Sequence, residues 1–228
     1  MTATDNKPLL VLKDIHAAYV KKEILRGISL LVRQGEIIAL LGGNGSGKST
    51  LLKTIAGLLL PTQGTTTFNG SNVTGDSVHA RQRLGIGLLL QGGKVFPNLT
   101  VAENFEIAKL NVFNHRFDES KIGRFFPQLK ERSADRAGLL SGGQKQMLAI
   151  EMVLVQQPRL VLMDEPTAAL SSDMSRAILG KILEYSRQSG CSVLVVEQNV
   201  AEAKGISTRC LRLNEGQIQE LTTNEKGQ

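Results

Sequence analysis

The chain has 228 residues, 41% of them hydrophobic, enough to bury a sizeable core in one domain with room for a small subdomain. Two cysteines, Cys191 and Cys210, exclude a disulfide framework and a zinc site of their own, and suit core packing in a reducing compartment. The net charge of +6 is dispersed in small groups such as Lys21-Lys22 and Arg209/Arg212, and aromatic residues are only 4%, so no nucleic-acid arm or base-stacking platform is written into the sequence.

Met1 to Asp14 carries no basic region followed by a long apolar one, and no apolar run approaches the roughly 20 residues that a membrane span needs. A soluble protein is expected, one that reaches a membrane through a partner. Leu9–Leu12, Asp14–Val20 and Ile24–Val32 alternate between apolar and polar positions with turn residues such as Gly27 and Gly35, which predicts a meander of strands. Tyr19, one of two tyrosines, can stack on an adenine or pack on the sheet; its position permits both.

Ile37–Leu41 reads as a buried strand, and Leu51, Leu52, Ile55 and Leu58 as the apolar face of a helix over Thr50–Ala56. Between them Gly42-Gly43-Asn44-Gly45-Ser46-Gly47-Lys48-Ser49-Thr50 fits the phosphate-loop pattern G-x-x-x-x-G-K-[ST] in full. Glycines let successive backbone N–H groups turn inward on an anion, Lys48 brings a charge to the β- and γ-phosphates, and Ser49 offers a hydroxyl to Mg²⁺. The helix that follows presents its positive end to the same phosphates. Nucleotide binding follows from this stretch alone.

Pro61–Gly64 breaks the chain, and Thr65–Phe68 has strand propensity before the turn Asn69-Gly70. Leu88–Leu90 leads an apolar strand to Gln91, a polar side chain delivered to the carboxyl edge of a sheet. Thr100 with Glu103 makes a capping box, and from there to about Leu140 apolar residues fall at helical spacing, Val101, Phe105, Ala108, Ile122, Phe125, Phe126 and Leu129 among them. This predicts a helical insertion holding most of the phenylalanines, Phe96, Phe113 and Phe117 included, packed as a small core or open as a partner groove.

Ser141-Gly142-Gly143-Gln144 opens a helix expected over Lys145–Val155 and is a second anion-ready turn. One phosphate seldom needs two such loops from one chain, so a site completed between two subunits is the economical explanation. Leu160–Met163 is an apolar strand ending in Asp164-Glu165-Pro166: Asp164 is placed to reach Mg²⁺ through water and Glu165 to polarise an attacking water. Ser171-Ser172-Asp173 caps a helix ending near Ser189-Gly190. Ser192–Val196 is a buried strand ending at Glu197-Gln198-Asn199; Cys210–Ile218 reads as a hairpin and Thr222–Gln228 as a mobile tail.

This order of motifs resembles the nucleotide-binding domain of ATP-binding-cassette ATPases, over nearly the whole chain. The resemblance implies an α/β P-loop fold with a mixed central sheet, an N-terminal antiparallel β subdomain and a helical subdomain. The core lobe would take approximately residues 1–92 and 141–228, and the helical subdomain approximately 93–140. It makes Tyr19 the adenine-stacking residue, Gly42 to Thr50 the Walker A loop, Gln91 a ligand of the Mg-ATP site, and Glu165 the catalytic base. Ser141, Gly142, Gly143 and Gln144 become the signature turn acting across a dimer, and Ala169-Leu170-Ser171 the D-loop.

A closer likeness, carried by Gly92–Phe96, Phe126–Arg132, Arg136-Ala137-Gly138, Gln146–Ile150 and Val196–Asn199, is to the LivF-type ATPases of branched-chain amino-acid importers and their relatives for urea and short amides. In this subgroup Gln198 stands where most cassettes have a histidine, and it would hydrogen-bond the γ-phosphate without titrating. The sequence departs from the pattern at Glu151-Met152, where an arginine is usual, at Ala169 for glycine, at Ser172 for proline, and at Ser207-Thr208-Arg209 for Ala-Asp-Arg. The likeness implies ATP and Mg²⁺ as cofactors, a homodimer or heterodimer with a second cassette, transmembrane permease subunits, an extracytoplasmic solute-binding protein, and residence on the cytoplasmic face of the membrane. A non-transport cassette acting on nucleic acid or the ribosome is the alternative class; such proteins fuse two cassettes or carry a coiled-coil or zinc insertion, features this sequence lacks.

Overall fold

A computed structural model describes residues 8–20, 22–109 and 123–221. Phe113, Phe117, Ile122 and the tail Thr222–Gln228, named above, lie outside them.

Two sheets form the frame. The first is antiparallel, in the order β2-β1-β4-β5, from β1 (Pro8–Tyr19), β2 (Lys22–Arg33), β4 (Gln63–Phe68) and β5 (Ser71–Asn72). The two strands expected before Tyr19 are a single one, bent where Asp14 adopts φ 51° and its N–H turns to Ser29 Oγ at 3.1 Å. A bulge thus bends a strand that the polar pair Lys13-Asp14 makes look broken. Asn69 and Gly70, both at positive φ, close the β4–β5 hairpin as an Asn-Gly turn should.

The second sheet is mixed, in the order β10-β9-β3-β8-β7-β6. Its strands β3 (Ile37–Leu41), β6 (Ile86–Leu89), β7 (Leu160–Asp164) and β8 (Ser192–Val196) run parallel, as does β9 (Arg209–Asn214) beside β3, while β10 (Gln217–Glu220) returns antiparallel. All five residues in each of β3, β7 and β8 are buried, which explains their continuous apolar character: side chains alternate between two cores. Ile38, Leu40, Leu162 and Val196 join the antiparallel sheet and helix α1 (Lys48–Ala56) on one face, and Ala39, Val161 and Val195 face helices α5 (Gly142–Leu154) and α6 (Ser172–Ser189) on the other.

Helix α1 starts two residues earlier than expected, on the loop itself, and stops at Gly57 (φ 82°), which leaves Leu58 50% exposed instead of on its buried face. Two short helices escaped the sequence reading, α2 (Val78–Arg83) and α7 (Val200–Ile206), each too brief to show a periodic face. Helices α3 (Val101–Lys109) and α4 (Gln128–Glu131) fall in the expected helical region. The capping box is present: Glu103 N–H donates to Thr100 Oγ1 at 3.1 Å and Thr100 N–H to Glu103 Oε2 at 2.7 Å. Phe105, Phe125 and Phe126 are buried in the core, whereas Phe96 is left 46% exposed.

Candidate functional site

The strand order places β3, β8, β7 and β6 side by side, so their carboxyl ends deliver the phosphate loop, Gln198, Asp164-Glu165 and Gln91 to one edge. In the loop Gly42, Gly45 and Gly47 have φ of 153°, 78° and 108°. A Cβ on Gly42 would run into the carbonyl oxygen of Leu213, so no other residue fits there. Gly43 and Gly45 face open space, Ser46 Oγ is buried without a partner among the described residues, and Lys48, 6% exposed, donates from Nζ to its own loop carbonyls, Gly42 O at 2.7 Å and Gly43 O at 2.9 Å. A buried hydroxyl, an open concavity and an ammonium on the loop fit the chemistry of a phosphate cradle.

A cavity of about 480 Å³ opens here, lined by Asn44, Gly47, Lys48, Ser49, Gln91 and Glu165, among others. Ser49 hydrogen-bonds Asp164, whose carboxyl is 4% exposed; burial raises its pKa and the Ser49 bond opposes that rise. A hydroxyl facing a buried carboxylate offers two oxygen ligands suited to Mg²⁺.

Glu165 follows Asp164 in a strained conformation, φ 49°, with its N–H tied to Val196 O at 3.0 Å. Both its oxygens are engaged: Gln91 Nε2 donates to Oε2 at 2.7 Å and Gln198 Nε2 to Oε1 at 2.8 Å. Glu197, 3% exposed, instead accepts Thr167 Oγ1–H at 2.8 Å and Thr167 N–H at 3.1 Å, and burial raises its pKa. It anchors the chain beyond Glu165 to the end of β8. Asn199 caps α7 through the N–H groups of Ala201 and Glu202. The sequence marked Glu197-Gln198-Asn199 as a polar strand end, and the structure divides it into an anchor, a donor to Glu165 and a helix cap.

Ser141 to Gln144 lie apart from this cavity. Ser141 caps α5 with the full reciprocal box, Gln144 N–H to Ser141 Oγ at 3.3 Å and Ser141 N–H to Gln144 Oε1 at 3.0 Å, which is why the helix begins at Gly142 and not Lys145. Gly143 faces Leu170 and Met174, beside the loop in which Ala169 takes φ 62°. Tyr19 ends β1 opposite Lys22, 43% exposed, outside the lining of the phosphate cavity; Lys22 and Ile24, which the sequence reading did not single out, are part of that lining. Arg81 was also missed. Fully buried, it donates to Thr54 O, Ile55 O and Thr74 O, each at 2.8 Å, and so closes the carboxyl end of the helix whose other end carries Lys48.

A phosphate loop, a strand-end Asp-Glu pair and two converging amides on a mixed parallel sheet define a nucleotide-binding P-loop ATPase. A protein-family profile described as ABC transporter matches residues 25–168. The chain is 35% identical to the high-affinity branched-chain amino acid transport ATP-binding protein BraG of Pseudomonas aeruginosa, covering 92% of this chain and 91% of the relative. It is 38% identical to the probable branched-chain amino acid transport ATP-binding protein LivF of Archaeoglobus fulgidus, over 90% of this chain and 87% of the relative. A xylose/arabinose import ATP-binding protein of Sulfolobus acidocaldarius is 33% identical over 92% of this chain and 86% of the relative. Among solved structures, a dimeric ATP-binding cassette in a post-hydrolysis state bound to ADP and Pi superposes with TM-score 0.83 at 26% identity, covering 96% of this chain and all of that one. The chain belongs to the ABC transporter family, and it is an ATPase of that family.

Proposed function

We propose that this chain is the ATP-hydrolysing subunit of an importer for small polar solutes, with branched-chain amino acids as the first class to test. The observation that carries hydrolysis is the pairing of Glu165 with both Gln91 and Gln198 at the mouth of the Lys48 loop. ATP would draw Lys48 off the Gly42 and Gly43 carbonyls onto its β- and γ-phosphates, with the loop N–H groups cradling them. Tyr19 is the residue for the adenine. Ser49, Asp164 and Gln91 are the residues to hold Mg²⁺, which neutralises phosphate charge when bound. Glu165 directs water in line with the γ-phosphate once an amide lets go of one oxygen, and Gln198 turns its N–H to that phosphate. Positioning and electrostatics carry the transfer.

The separation of Ser141–Gln144 from the cavity supports a head-to-tail dimer, homomeric or with a second cassette, in which that turn closes over the partner's nucleotide. Residues 93–140 and the groove beside them are the docking side for transmembrane permease subunits. That groove, about 220 Å³, joins exposed Leu90 and Phe96 to Lys94, Ile107 and Met152. Buried Asn104 fixes its rim by bonding both the N–H and the C=O of Phe96, at 2.8 and 3.1 Å. Among the described residues no helix is long and apolar enough to cross a membrane, so the permease would supply the span and hold this subunit at the cytoplasmic face. A solute-binding protein would act through the permease; no nucleic-acid partner is proposed. The solute follows only from BraG and LivF, since other relatives are named for sugars or polyamines.

The test is to purify a tagged copy from detergent-solubilised native membranes, identify its companions by mass spectrometry, and assay uptake of labelled leucine in cells with and without the gene. Polytopic membrane proteins and gene-dependent leucine uptake are expected. Ribosomal or DNA-bound companions would overturn the importer reading and leave the ATPase standing.

A further inference from the structure

Glu151 occupies a place on α5 where the sequence departs from its family pattern, and the structure gives it specific work. The side chain is 2% exposed. It reaches the backbone at Gly123–Phe126: Phe125 N–H donates to Oε1 at 3.1 Å, the N–H groups of Gly123, Arg124 and Phe126 lie close enough to favour its charged form, and Oε2 is buried with no hydrogen-bond partner among the described residues. Gly123, at φ 68°, gives the curl that aims successive N–H groups at one anion. The segment so held is packed hard, for Phe125 meets the Tyr185 ring of α6 edge-on at 5.4 Å and 81°.

No cation pairs with Glu151 among the described residues. Arg124, Arg159, Tyr185 and Cys191 share its cavity of about 590 Å³. Arg124 is taken by Gln188 Oε1 at 3.1 Å and lies over the Phe125 ring, while Arg159 is exposed at the rim. Tyr185 and Cys191 stay neutral near physiological pH, since burial drives both far up, the thiol to about 12. The carboxylate is therefore the group here that changes charge between mildly acid and mildly basic pH.

We infer that Glu151 is a positioning residue for ATP hydrolysis: its carboxyl group fixes α5 to the backbone at Gly123–Phe126 and thereby sets where Ser141–Gln144, at the head of the same helix, meets the opposing nucleotide. The inference rests on the dimeric hydrolytic reading above. Burial pushes the Glu151 carboxyl up to about 7, and the four N–H groups work against that rise. The held state therefore binds this proton more tightly than an opened one does, so the hold is firmest with the acid protonated and loosens as pH rises through 7.

The test compares wild type with Glu151→Gln and Glu151→Asp. Wild-type kcat should fall several-fold between about pH 6 and 8 while Glu151→Gln stays near the wild-type acid value, KM for ATP is unchanged, and Glu151→Asp keeps part of the fall. Full turnover of Glu151→Gln with the wild-type pH profile would overturn the inference. Hydrogen exchange in the wild type gives a second reading that needs no variant. Protection of the Gly123–Phe126 amides, relative to those of α1, should decrease over the same pH range, and a pH-independent ratio would overturn the inference as well. A wild-type protein without hydrolysis would sink the hydrolytic reading, and exchange would still decide whether Glu151 holds the segment.

Discussion

Gln198 Nε2 sits 2.8 Å from Glu165 Oε1, so an amide at the end of β8 holds one oxygen of the carboxylate that ends β7, while Gln91 holds the other at 2.7 Å. A histidine in that place would make the contact depend on pH; glutamine does not titrate. Gln198→Ala should lower kcat by about 10²-fold, the size of effect seen when one oriented donor is removed, with ATP affinity kept within a few-fold. Gln198→His should add an ionisation near pH 6.5 to the rate profile that the wild type lacks at this position. Stopped-flow and steady-state rates across pH would decide both, and unchanged turnover in the alanine variant removes Gln198 from the mechanism.

Glu165→Gln keeps the shape of the site and removes the carboxylate proposed above to direct the attacking water. Turnover should fall by about 10²- to 10⁴-fold while nucleotide still binds, trapping a closed dimer visible as a doubled mass in size exclusion with ATP. A variant that hydrolyses at the wild-type rate would show that another group directs the water.

Arg81 is fully buried and donates to three carbonyls, two of them at the carboxyl end of α1. Arg81→Met strands those acceptors and should cost about 3 kcal/mol or more in chemical denaturation. Arg81→Lys should recover little, because an ammonium cannot reproduce the planar fork. Full stability of the methionine variant would mean that the carbonyls find water instead.

Ala169 adopts φ 62°, a region alanine enters at a cost of roughly 1–2 kcal/mol. Ala169→Gly relieves that strain but loosens the unfolded chain, so the net change should be stabilising by about 0.5–1 kcal/mol. A thermal melt showing a loss of stability would indicate that the alanine methyl makes a contact worth more than the strain.

Glu151 links stability to pH with a definite sign. Its folded-state carboxyl lies at about 7 against an ordinary 4.5, so the folded state holds the proton across that interval and the unfolded chain does not. Stability conferred by this group is present below pH 4.5 and is lost as pH rises through 7. Glu151→Gln, which cannot ionise, should flatten that part of the stability profile; urea titrations at three pH values would show it, and an equally steep slope in the variant would assign the dependence to other groups.

The Gly42–Thr50 loop, Asp164-Glu165 and the Ser141–Gln144 turn were legible in the sequence because each is local: glycines at fixed spacing, an apolar strand ending in carboxylates, and a serine cap with its glutamine partner. The same holds for the buried strands, whose continuous apolar runs need two covered faces. Strand order does not follow from such runs, and strand order alone places Gln91 and Gln198 on the two oxygens of Glu165 across the ends of three adjacent strands. The structure likewise gave Arg81 and Glu151 their meaning, since a charged residue in a helical stretch looks solvated until tertiary contacts bury it against backbone carbonyls or N–H groups. The sequence by itself determined the chemistry carried by each segment, because hydrogen-bonding capacity and backbone freedom belong to residue types; only the tertiary structure decided which groups meet, because meeting depends on packing between segments far apart in the chain.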